Sequence, residues 1–512
     1  MPSPAIAFPS PDHYAAARDL LNRHAFTRSG ILQRLNAESI PTLKESDTPL
    51  LLWYTRQASP LDTLIRLFIM NIPVDAEQVR RALDPMTPQD WLSAGLLRRA
   101  SAAGDSLSAA VKLMPYDDQF FAHDLNPRTE ADIRPDYVMG IGAATISLAN
   151  LTTRRPSALT LDLGTGCGTQ AHFCSPHSGK VIATDTNPRA LDFCRFNTAL
   201  NAVTNIEPRP GSLFEPVADH AGQFNLIVTN PPFVISPESR YMFRDSGMRG
   251  DEICRTIVQQ GPRYLAEGGL LQMLCNWAHT DDEPWQQHLS SWVQDSGCDA
   301  WIIRSDTHDA ATYANTWLQQ TDKHLLQRDS SLFDQWMDYY KKSGITAVSA
   351  GCITLRRRTP SPAPGNTAPN FIHIDENPSK FLGPIGADIA RALDLRTYLD
   401  SCKDDNALLD TAFAASPDTR LEQQAKPADG SWQILEYTLH RTVGLAHRGR
   451  CDPYIAMLVA RSNGRTPLRE LVTTLASDLD QPFDSIAPPL LRMVRELIAQ
   501  GFLLPPGQIS AN

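Results

Sequence analysis

The stretch Leu159–Gly168, LTLDLGTGCG, joins a short apolar run to a glycine-rich turn. The apolar run has the length and composition of a buried β-strand. Gly164, Gly166 and Gly168 follow it as a GxGxG turn, in which the absence of side chains lets the backbone approach a ligand closely. Such a turn alone is weak evidence, because related turns also bind dinucleotides. The stretch therefore predicts a strand, a tight turn and a ligand beside the turn.

A second apolar run, Lys180–Asp185 (KVIATD), ends in an acid roughly twenty residues after the glycine turn begins. An acid at the end of the second strand can accept hydrogen bonds from ribose hydroxyls. Asp162, just before the first glycine, strengthens the pattern. Thr169 follows the third glycine, and neither a further glycine nor a basic residue completes a phosphate cradle. A nucleoside-type cofactor without phosphates is favoured, and S-adenosylmethionine, with its adenosine, sulfonium and amino-acid tail, fits.

A third apolar run, FNLIV, predicts a buried strand that is followed by Thr229–Phe233, TNPPF. Pro231 and Pro232 can neither extend a strand ladder nor allow a helix to start there. The chain must leave the sheet in a stiff, extended turn with Asn230 at the end of the strand. Asparagine and proline are common in ordinary turns. The position of this turn, downstream of the glycine turn and Asp185, nevertheless favours a functional role.

The chemistry of methyl transfer to nitrogen explains why such a turn would be useful. In amides and exocyclic amino groups the nitrogen lone pair is delocalised, and two acceptors for the N–H hydrogens would bend the nitrogen toward tetrahedral geometry. The Asn230 side-chain oxygen and the Pro231 backbone carbonyl are the two candidates. Neither is a strong base, so the predicted mechanism is positioning and electrostatics. Pro232 stiffens the turn, and Phe233 offers a flat face for a planar group.

Four segments, LDLGTGCG, ATDTNPRALDFCRFNTALN, GSLFEPV and FNLIVTNPPF, resemble the class I S-adenosylmethionine-dependent methyltransferases of the small (MTS) type. That group includes the release-factor glutamine N5-methyltransferases and the ribosomal RNA guanine-N2 methyltransferases. The resemblance implies an α/β fold, with a Rossmann-like core around a mostly parallel seven-stranded sheet. It implies a catalytic tetrapeptide formed by Asn230, Pro231, Pro232 and Phe233. It implies a cofactor site formed by Asp162, Gly164, Thr165, Gly166, Gly168, Asp185, Thr186, Asn187, Ser212, Leu213 and Asn230.

The chain departs from the pattern of that group in two places. Family members often carry an acid near the position of Ser212, close to the adenine, where this chain has serine. The tetrapeptide ends in Phe233, as in the RNA guanine enzymes, whereas the glutamine enzymes usually end it in tyrosine. The segments GSLFEPV and DTNPRAL look more like the glutamine group. The two signals conflict, so both substrate classes stay open.

The flanking regions have patterns of their own. Helical apolar spacing dominates the first part of the chain, and helix, helix and a short terminal strand recur near its end. The linker segment RTPSPAPGNTAPN is rich in proline, serine, threonine and asparagine. We predict an N-terminal helical or winged-helix domain at 1–125, a class I methyltransferase domain at 126–358, a linker at 359–370, and a C-terminal domain at 371–512 ending in a winged-helix-like unit.

The composition is that of a globular protein, with 42% hydrophobic and 20% charged residues among 512. The net charge of −10 counts mildly against a dedicated nucleic-acid binder. The nine cysteines are scattered and show no metal-binding spacing, so no metal is predicted. The N-terminus lacks the features of a signal peptide, and no apolar run reaches the length of a membrane span. We expect a cytoplasmic protein.

The loop after the tetrapeptide, YMFRDSGMRGDEICR, concentrates charge close to the expected site. It could be a lid or a substrate-recognition loop, since glycines can act as hinges. Alternatively it is a solvated loop in which Asp251 caps the next helix. Upstream, Tyr137 and Thr145 are possible cofactor contacts, although a core helix explains that segment as well. His279, Asp281 and Asp282 lie close together, and a solvated loop explains them better than a metal site.

Three functions remain open from the sequence. The first is methylation of a protein glutamine or another amide, in a substrate such as a translation factor. The second is methylation of an RNA or DNA base, and a basic stripe leading to Asn230 would favour it. The third is a non-catalytic, cofactor-binding scaffold, against which the intact Asn230 argues. In the first two, the flanking domains are expected to capture the macromolecular substrate.

Overall fold

The three-dimensional structure is a computed structural model. It describes residues 6–38, 48–100, 105–125, 134–322, 326, 329–358, 370–376, 383–402, 404–445 and 447–508. All but the final residue of the predicted linker at 359–370 lies outside the described residues. The chain divides into two units, one formed by Met1–Ala149 and Arg155–Lys380, the other by Asn150–Arg154 and Phe381–Asn512.

The helices and strands are labelled in chain order. The helices are α1 Pro11–Arg23, α2 Arg28–Leu35, α3 Thr48–Tyr54, α4 Pro60–Leu64, α5 Ala76–Leu83, α6 Pro88–Ser93, α7 Ala143–Leu151, α8 Thr169–Cys174, α9 Pro188–Leu200, α10 Glu252–Gln260, α11 Trp285–Val293, α12 Ala310–Thr321, α13 Ser331–Ser343, α14 Gly386–Ser401, α15 Asp405–Leu409, α16 Pro453–Arg461, α17 Leu468–Asp478 and α18 Phe483–Ala499. The strands are β1 Val74–Asp75, β2 Leu97–Arg99, β3 Ser106–Ala109, β4 Lys112–Tyr116, β5 Gln119–His123, β6 Ser157–Leu163, β7 Ser178–Asp185, β8 Ile206–Pro210, β9 Phe224–Thr229, β10 Leu265–Thr280, β11 Cys298–Asp309, β12 Ile345–Arg357, β13 Ile372–Glu376, β14 Ala414–Ala415, β15 Thr419–Ala428, β16 Ser431–Arg441, β17 Arg448–Cys451 and β18 Leu503–Leu504.

The first unit is built on a sheet of eight strands in the order β13-β11-β12-β10-β9-β6-β7-β8. Within it, β12 runs antiparallel to both of its neighbours, and the other adjacent strands are parallel. Helices alternate with these strands along the chain, which confirms the predicted α/β, Rossmann-like class I fold.

The eighth strand differs from the prediction of seven. Strand β13 pairs in parallel with β11, from Ala300 opposite Ile372 to Arg304 opposite Glu376. The sequence analysis assigned these residues to the C-terminal domain. The strand is short and half-exposed at the edge of the sheet, so its sequence, IHIDE, lacks the continuous apolar run that marks the buried strands.

The register of the central strands brings three predicted motifs to one edge of the sheet. Leu163, the last residue of β6, lies opposite both Thr184 of β7 and Thr229 of β9. The residues that follow these ends are therefore adjacent. They are Gly164, Asp185 and Asn230, the first residues of the glycine turn, the predicted ribose site and the tetrapeptide motif.

The winged-helix domain predicted at 1–125 stays a prediction, and this part of the first unit combines short helices with a small sheet. Helix α4, strand β1, helices α5 and α6, and strands β2 and β3 follow one another, and the strands form an antiparallel sheet in the order β1-β3-β2. The hairpin β4–β5 then connects to the methyltransferase part through α9. There the Asn197 side-chain oxygen accepts a hydrogen bond from the Ala122 N–H at 2.7 Å, and its amide nitrogen donates to the Ala122 carbonyl at 3.0 Å.

The second unit ends in a similar arrangement. Helix α16 is followed by Asn463, which bridges to Ala414, and then by α17, α18 and strand β18. Strand β14 pairs with β18 and so lies between Asn463 and the terminal strand. The terminal helix is followed by Gly501 with φ of +76°, as α6 is followed by Gly95 with φ of +74°. Between α15 and α16 the chain forms an antiparallel sheet in the order β15-β16-β17.

Candidate cofactor and substrate site

A cavity of about 360 Å³ lies at the carboxyl ends of β6, β7 and β9. Its volume is within the range of small-molecule sites, and its place is where open α/β sheets bind ligands. Gly168 and Phe233 are the two predicted site residues that do not line it. Tyr137 and Thr145 do line it. The other predicted residues all line it, namely Asp162, Gly164, Thr165, Gly166, Asp185, Thr186, Asn187, Ser212, Leu213, Asn230, Pro231 and Pro232.

The three glycines of the turn have different surroundings. Gly164 and Gly166 have φ of +74° and +56°, and a Cβ added to either would meet no atom within 4 Å. Their bare faces are therefore open toward the cavity. Gly168 has φ of +87°, and a Cβ there would lie 2.8 Å from the Cys194 Sγ on α9. Gly168 thus allows α9 to pack against the turn, which explains its absence from the cavity lining.

Asp162 holds the glycine turn in shape. Its carboxylate accepts hydrogen bonds from the Thr165 hydroxyl at 2.5 Å and from the Ala171 N–H at 2.9 Å. Burial raises the pKa of Asp162 to about 7, and these two hydrogen bonds only partly oppose that effect. The side chain is thus already committed to the turn and to the first turn of α8.

Asp185 connects the ends of β6 and β7. Its carboxylate accepts hydrogen bonds from the Gly166 N–H and the Asn187 N–H, both at 2.8 Å. Burial raises the pKa of Asp185. Asn187 caps α9 by accepting the Arg189 N–H at 3.0 Å, and its amide donates to the Asp136 carbonyl at 3.0 Å. Asp185 and Asn187 therefore fix the cavity wall beside the turn.

Leu213 lines the cavity in an uncommon backbone conformation, with φ of +46°. Bulky residues rarely adopt a positive φ. The preceding Gly211 has φ of +144°, and its carboxyl-side neighbour Ser212 donates its backbone N–H to Glu215 at 3.3 Å. The segment 211–215 therefore turns sharply along the cavity wall at the position where family members often carry an acid.

Asn230 has one of the two buried side-chain oxygens in the cavity lining that lack a partner among the described residues, the other being that of Gln170. A buried acceptor without a partner costs free energy of the order of 1–3 kcal/mol and calls for an explanation. Because Asn230 lines the cavity with Pro231 and Pro232, a donor from a bound molecule would supply the missing partner.

The position of Phe233 does not match the stacking role predicted from sequence. Its backbone forms an antiparallel bridge with Asp245, and its ring meets the Trp317 ring edge-on with centroids 6.4 Å apart. The ring packs against the apolar cores on either side of it. In this structure Phe233 anchors the turn in the core.

Two tyrosine hydroxyls hold the chain just after the tetrapeptide. The Ile235 N–H donates to the Tyr313 hydroxyl at 3.2 Å, and the Tyr340 hydroxyl donates to the Ile235 carbonyl at 2.8 Å. The Asn276 amide of β10 also donates to the Tyr313 hydroxyl, at 2.7 Å. Burial raises the pKa of both tyrosines, so both hydroxyls stay protonated. We call Tyr313 and Tyr340 the tyrosine clamp. The sequence analysis did not identify it, because no residue pattern near the tetrapeptide indicates these contacts.

The charged loop after the tetrapeptide is fixed by a buried ion cluster, Arg244, Asp245 and Asp322, with the exposed Arg240 at its edge. Arg244, which is 1% exposed, contacts Asp245 at 2.7 Å and Asp322 at 3.3 Å. Arg240 contacts Asp322 at 2.8 Å. The cluster joins the loop to the end of α12.

The structure bears on both interpretations of this loop, as a lid or substrate-recognition loop and as a solvated loop in which Asp251 caps the next helix. Met242, Phe243, Ser246 and Met248 of the loop line the cavity, as a substrate-recognition loop would. The expected cap is wrong, because the Asp251 side chain does not cap α10. It accepts instead from the Ala278 N–H at 2.9 Å and from His288 Nε2 at 3.1 Å. These bonds tie the end of the loop to β10 and α11.

The charges around the cavity are acidic or already paired. Among the described residues, the carboxylates that line it are Asp162, Asp185 and Asp245, and the lining contains neither lysine nor arginine. Nearby arginines of the chain pair with carboxylates, as Arg134 does with Asp136 at 2.8 Å and Arg189 with Asp124. A phosphate-bearing cofactor would find no cation here, whereas S-adenosylmethionine requires none.

Two absences hold for the described part of the chain. It contains no group of three or more histidine, cysteine, aspartate or glutamate side chains arranged to hold a metal ion. His279 instead shares a hydrogen bond of 2.7 Å with Ser349. None of its helices combines the length and the apolar character that crossing a membrane requires.

Family models match three parts of the chain. The Methyltransferase small domain matches residues 141–292, the segment that contains the glycine turn and the tetrapeptide. A Domain of unknown function (DUF7059) matches residues 23–110, and a second one (DUF7782) matches residues 390–505.

Several known proteins are similar to the same segment. The release factor glutamine methyltransferase of Aliivibrio fischeri is 30% identical over 141 residues, covering 25% of this chain and 48% of the relative. That of Geobacter sulfurreducens is 35% identical over 133 residues, covering 23% of this chain and 45% of the relative. The chain thus spans about half the length of these curated relatives.

Among solved structures, a methyltransferase from Pyrococcus furiosus is 13% identical and covers 47% of this chain and 90% of its own, with a TM-score of 0.29. A score this low supports no inference about function. The match to the family model agrees with the sheet order, the glycine turn and the position of the tetrapeptide. Residues 141–292 therefore belong to the methyltransferase small domain family, a class I methyltransferase domain whose cofactor is S-adenosylmethionine.

Proposed function

We propose that this protein transfers a methyl group from S-adenosylmethionine to the side-chain amide nitrogen of a glutamine in a protein substrate. The observation that carries the proposal is the buried Asn230 Oδ1, which lacks a partner at the wall of the cavity. A primary amide has two N–H donors. One would meet Asn230 Oδ1, and the Pro231 carbonyl at the next position would accept the other.

The cavity is suited to the cofactor. The open faces of Gly164 and Gly166 let an adenosine-bearing molecule approach the backbone closely. Asp185 lies at the end of the second strand, where a carboxylate can accept from ribose hydroxyls. The described part of the lining has no lysine or arginine, which agrees with a cofactor that has no phosphate.

S-adenosylmethionine supplies an electrophilic methyl group on a sulfonium. The glutamine nitrogen forms the new bond to that methyl carbon while the methyl–sulfur bond breaks and its electron pair stays on sulfur. Asn230 and Pro231 hold the two N–H hydrogens out of the amide plane, so the lone pair points toward the methyl group. Neither group is a base, and the nitrogen loses one proton to solvent after the transfer. The contribution of the chain is orientation and electrostatic stabilisation.

The charges favour a protein substrate over a nucleic acid. A nucleic-acid site usually offers unpaired lysine and arginine side chains to phosphates. Here the cavity carries aspartates, and Arg134, Arg189 and Arg240 are already paired. Because the relatives are release factor glutamine methyltransferases, translation release factors are the first proteins to try.

The test uses tritiated S-adenosylmethionine and the full chain, with extract from cells that lack the gene. Wild type, Asn230→Ala and Asn230→Asp are compared with Asn315→Ala, a matched change at an exposed position of α12 outside the cavity. We expect label in protein, lost with protease, only for wild type and Asn315→Ala. Peptide mass spectrometry should then place the added methyl group on glutamine.

Other outcomes would contradict the proposal. Label that nuclease removes would identify a nucleic-acid base as the acceptor. Cofactor binding without any label in a macromolecule, with equal behaviour of Asn230→Ala and wild type, would support a non-catalytic scaffold.

A further inference from the structure

Three exposed methionines belong to the lining of the cavity. Met139, Met242 and Met248 are 51%, 41% and 37% exposed, and all three line the cavity that contains Asn230. We call them the methionine rim. Large exposed apolar side chains grouped at one place on a surface mark a binding site more often than scattered ones do.

The rim comes from two separate segments of the chain. Met139 lies before α7, whereas Met242 and Met248 lie on the loop fixed by the buried ion cluster. The two segments meet through the Met242 N–H, which donates to the Pro135 carbonyl at 3.1 Å. The Tyr137 and Phe243 rings also pack edge to face there, with centroids 5.4 Å apart. A defined backbone therefore carries three flexible thioether side chains.

The charges of the described residues near the rim favour an uncharged occupant over a polyanion. Among the described residues, Arg134 and Arg240, the cations next to the rim segments, are both paired with carboxylates. Arg249 faces a separate cavity, whose lining also includes Asp251 and Glu283. A phosphate backbone at the rim would find apolar surface and paired charges.

We propose that the methionine rim binds apolar side chains that flank the methylated residue in an extended polypeptide. The proposal rests on the proposed function, and it names the feature of the substrate that the enzyme recognises. Methionine is unbranched and polarizable, so it adapts to side chains of different shape. The rim is continuous with the cavity of Asn230, so a polypeptide that lies on it can insert a glutamine side chain between the methionines.

The test measures binding of two synthetic peptides to the full chain saturated with S-adenosylhomocysteine. The peptides have equal length and charge and one central glutamine, flanked by leucines in the first and by serines in the second. We expect the leucine peptide to bind about tenfold more tightly to wild type, because its flanking side chains leave water. The combined variant Met139→Ser, Met242→Ser, Met248→Ser should bind both peptides equally.

Two further variants separate recognition from general damage. Changing the same three residues to leucine keeps the apolar surface and should retain the preference. Met493→Ser, at a methionine that is 43% exposed on α18 and does not line the cavity, should behave as wild type.

Several results would overturn the inference. Equal binding of both peptides to wild type would do so, as would a preference that survives the serine variant. A parallel loss of affinity for S-adenosylhomocysteine would assign the rim to the cofactor. Rim-dependent binding of a single-stranded RNA oligonucleotide in place of the peptides would assign it to nucleic acid.

The peptide measurement does not depend on turnover, so the two hypotheses can fail separately. A rim-dependent preference without methylation of glutamine would contradict the proposed function and leave the docking surface standing. Methylation of glutamine in both peptides with equal efficiency, unaffected by the serine variant, would contradict the docking surface alone.

Discussion

Leu163 and Thr229 lie opposite each other on the parallel strands β6 and β9, and the Thr229 hydroxyl donates a hydrogen bond of 2.7 Å to the Leu163 carbonyl. The bond ties together the last residues of two strands. The residues that follow are Gly164 of the cofactor turn and Asn230 of the tetrapeptide. The distance between the two halves of the proposed site is thus set by one register of the sheet.

Substitution by alanine should affect the two glycines at the ends of the turn differently. Gly168→Ala is expected to destabilise the fold by about 2–4 kcal/mol, because strain at positive φ adds to a clash with Cys194. Gly164→Ala has only the strain, about 1–2 kcal/mol, and should mainly weaken cofactor binding. Denaturant unfolding and calorimetric titration with S-adenosylmethionine check both. Equal loss of stability in the two variants would contradict the separate roles.

The tyrosine clamp should affect turnover more than cofactor binding. Tyr313→Phe leaves the Ile235 N–H and the Asn276 amide without their acceptor, and Tyr340→Phe removes the donor to Ile235. We expect kcat to fall about tenfold or more in each, because an unsatisfied group costs about 1–3 kcal/mol and shifts the tetrapeptide. The affinity for S-adenosylmethionine should change little.

A half-buried tyrosine elsewhere provides the control for the clamp. Tyr14 also accepts a backbone N–H, from Phe8 at 3.2 Å, but lies in the N-terminal region. Tyr14→Phe should leave kcat unchanged. If it lowers kcat as much as Tyr313→Phe does, the effect is one of global stability and the clamp has no special role.

The buried ion cluster should be sensitive to the loss of its central cation. Arg244→Met leaves Asp245 and Asp322 with too little positive charge in a buried site, and we expect a loss of about 3–5 kcal/mol. The exposed pair of Arg80 and Glu77 gives the comparison, and Arg80→Met should leave the midpoint of unfolding unchanged. Chemical denaturation measures both variants, and a stable Arg244→Met variant would show that the loop needs no ionic anchor.

The contribution of Asp162 to the free energy of unfolding should decrease as the pH rises. Its pKa is raised to about 7 in the folded chain by burial, so the folded state binds the proton more tightly than the unfolded state does. The contribution is fully present below about pH 4 and is lost as the pH rises through 7, at about 1.4 kcal/mol per pH unit between these two values. Asp162→Asn removes this dependence.

The pH prediction is therefore a difference between two chains. Stability of wild type and Asp162→Asn is measured by denaturation from pH 5 to pH 8, which cancels the other titrating groups. Wild type should lose stability relative to the variant across this range. A constant difference would mean that Asp162 is ionised throughout.

The parts of this protein that are formed by continuous segments of the chain could be predicted from the sequence. The buried strands, the glycine turn and the tetrapeptide were identifiable because each combines an apolar run with residues of restricted conformation. The class I fold followed from them. The edge strand Ile372–Glu376 was not predicted, because half-exposed strands have weak hydrophobic patterns in their sequence.

The supporting contacts of the site could not be predicted in the same way. Tyr313 and Tyr340 lie 78 and 105 residues from Ile235 in the chain, and nothing local signals their contact. Gly168 and Phe233 were predicted to touch ligands, and their places in the structure depend on Cys194 and Trp317. Which side chains face a ligand and which face a helix is decided by packing between distant segments.

The antiparallel strand β12, Ile345–Arg357, lies between β10 and β11. During synthesis on the ribosome, β10 therefore emerges long before β12 has been made. The edge of β10 that pairs with β12 stays unpaired until residue 357 has left the exit tunnel. A nascent chain that stops at residue 292 would contain every residue of the matched methyltransferase segment and still have an unfinished sheet. Synthesis must pass well beyond the family signature before this protein can hold its tetrapeptide in place.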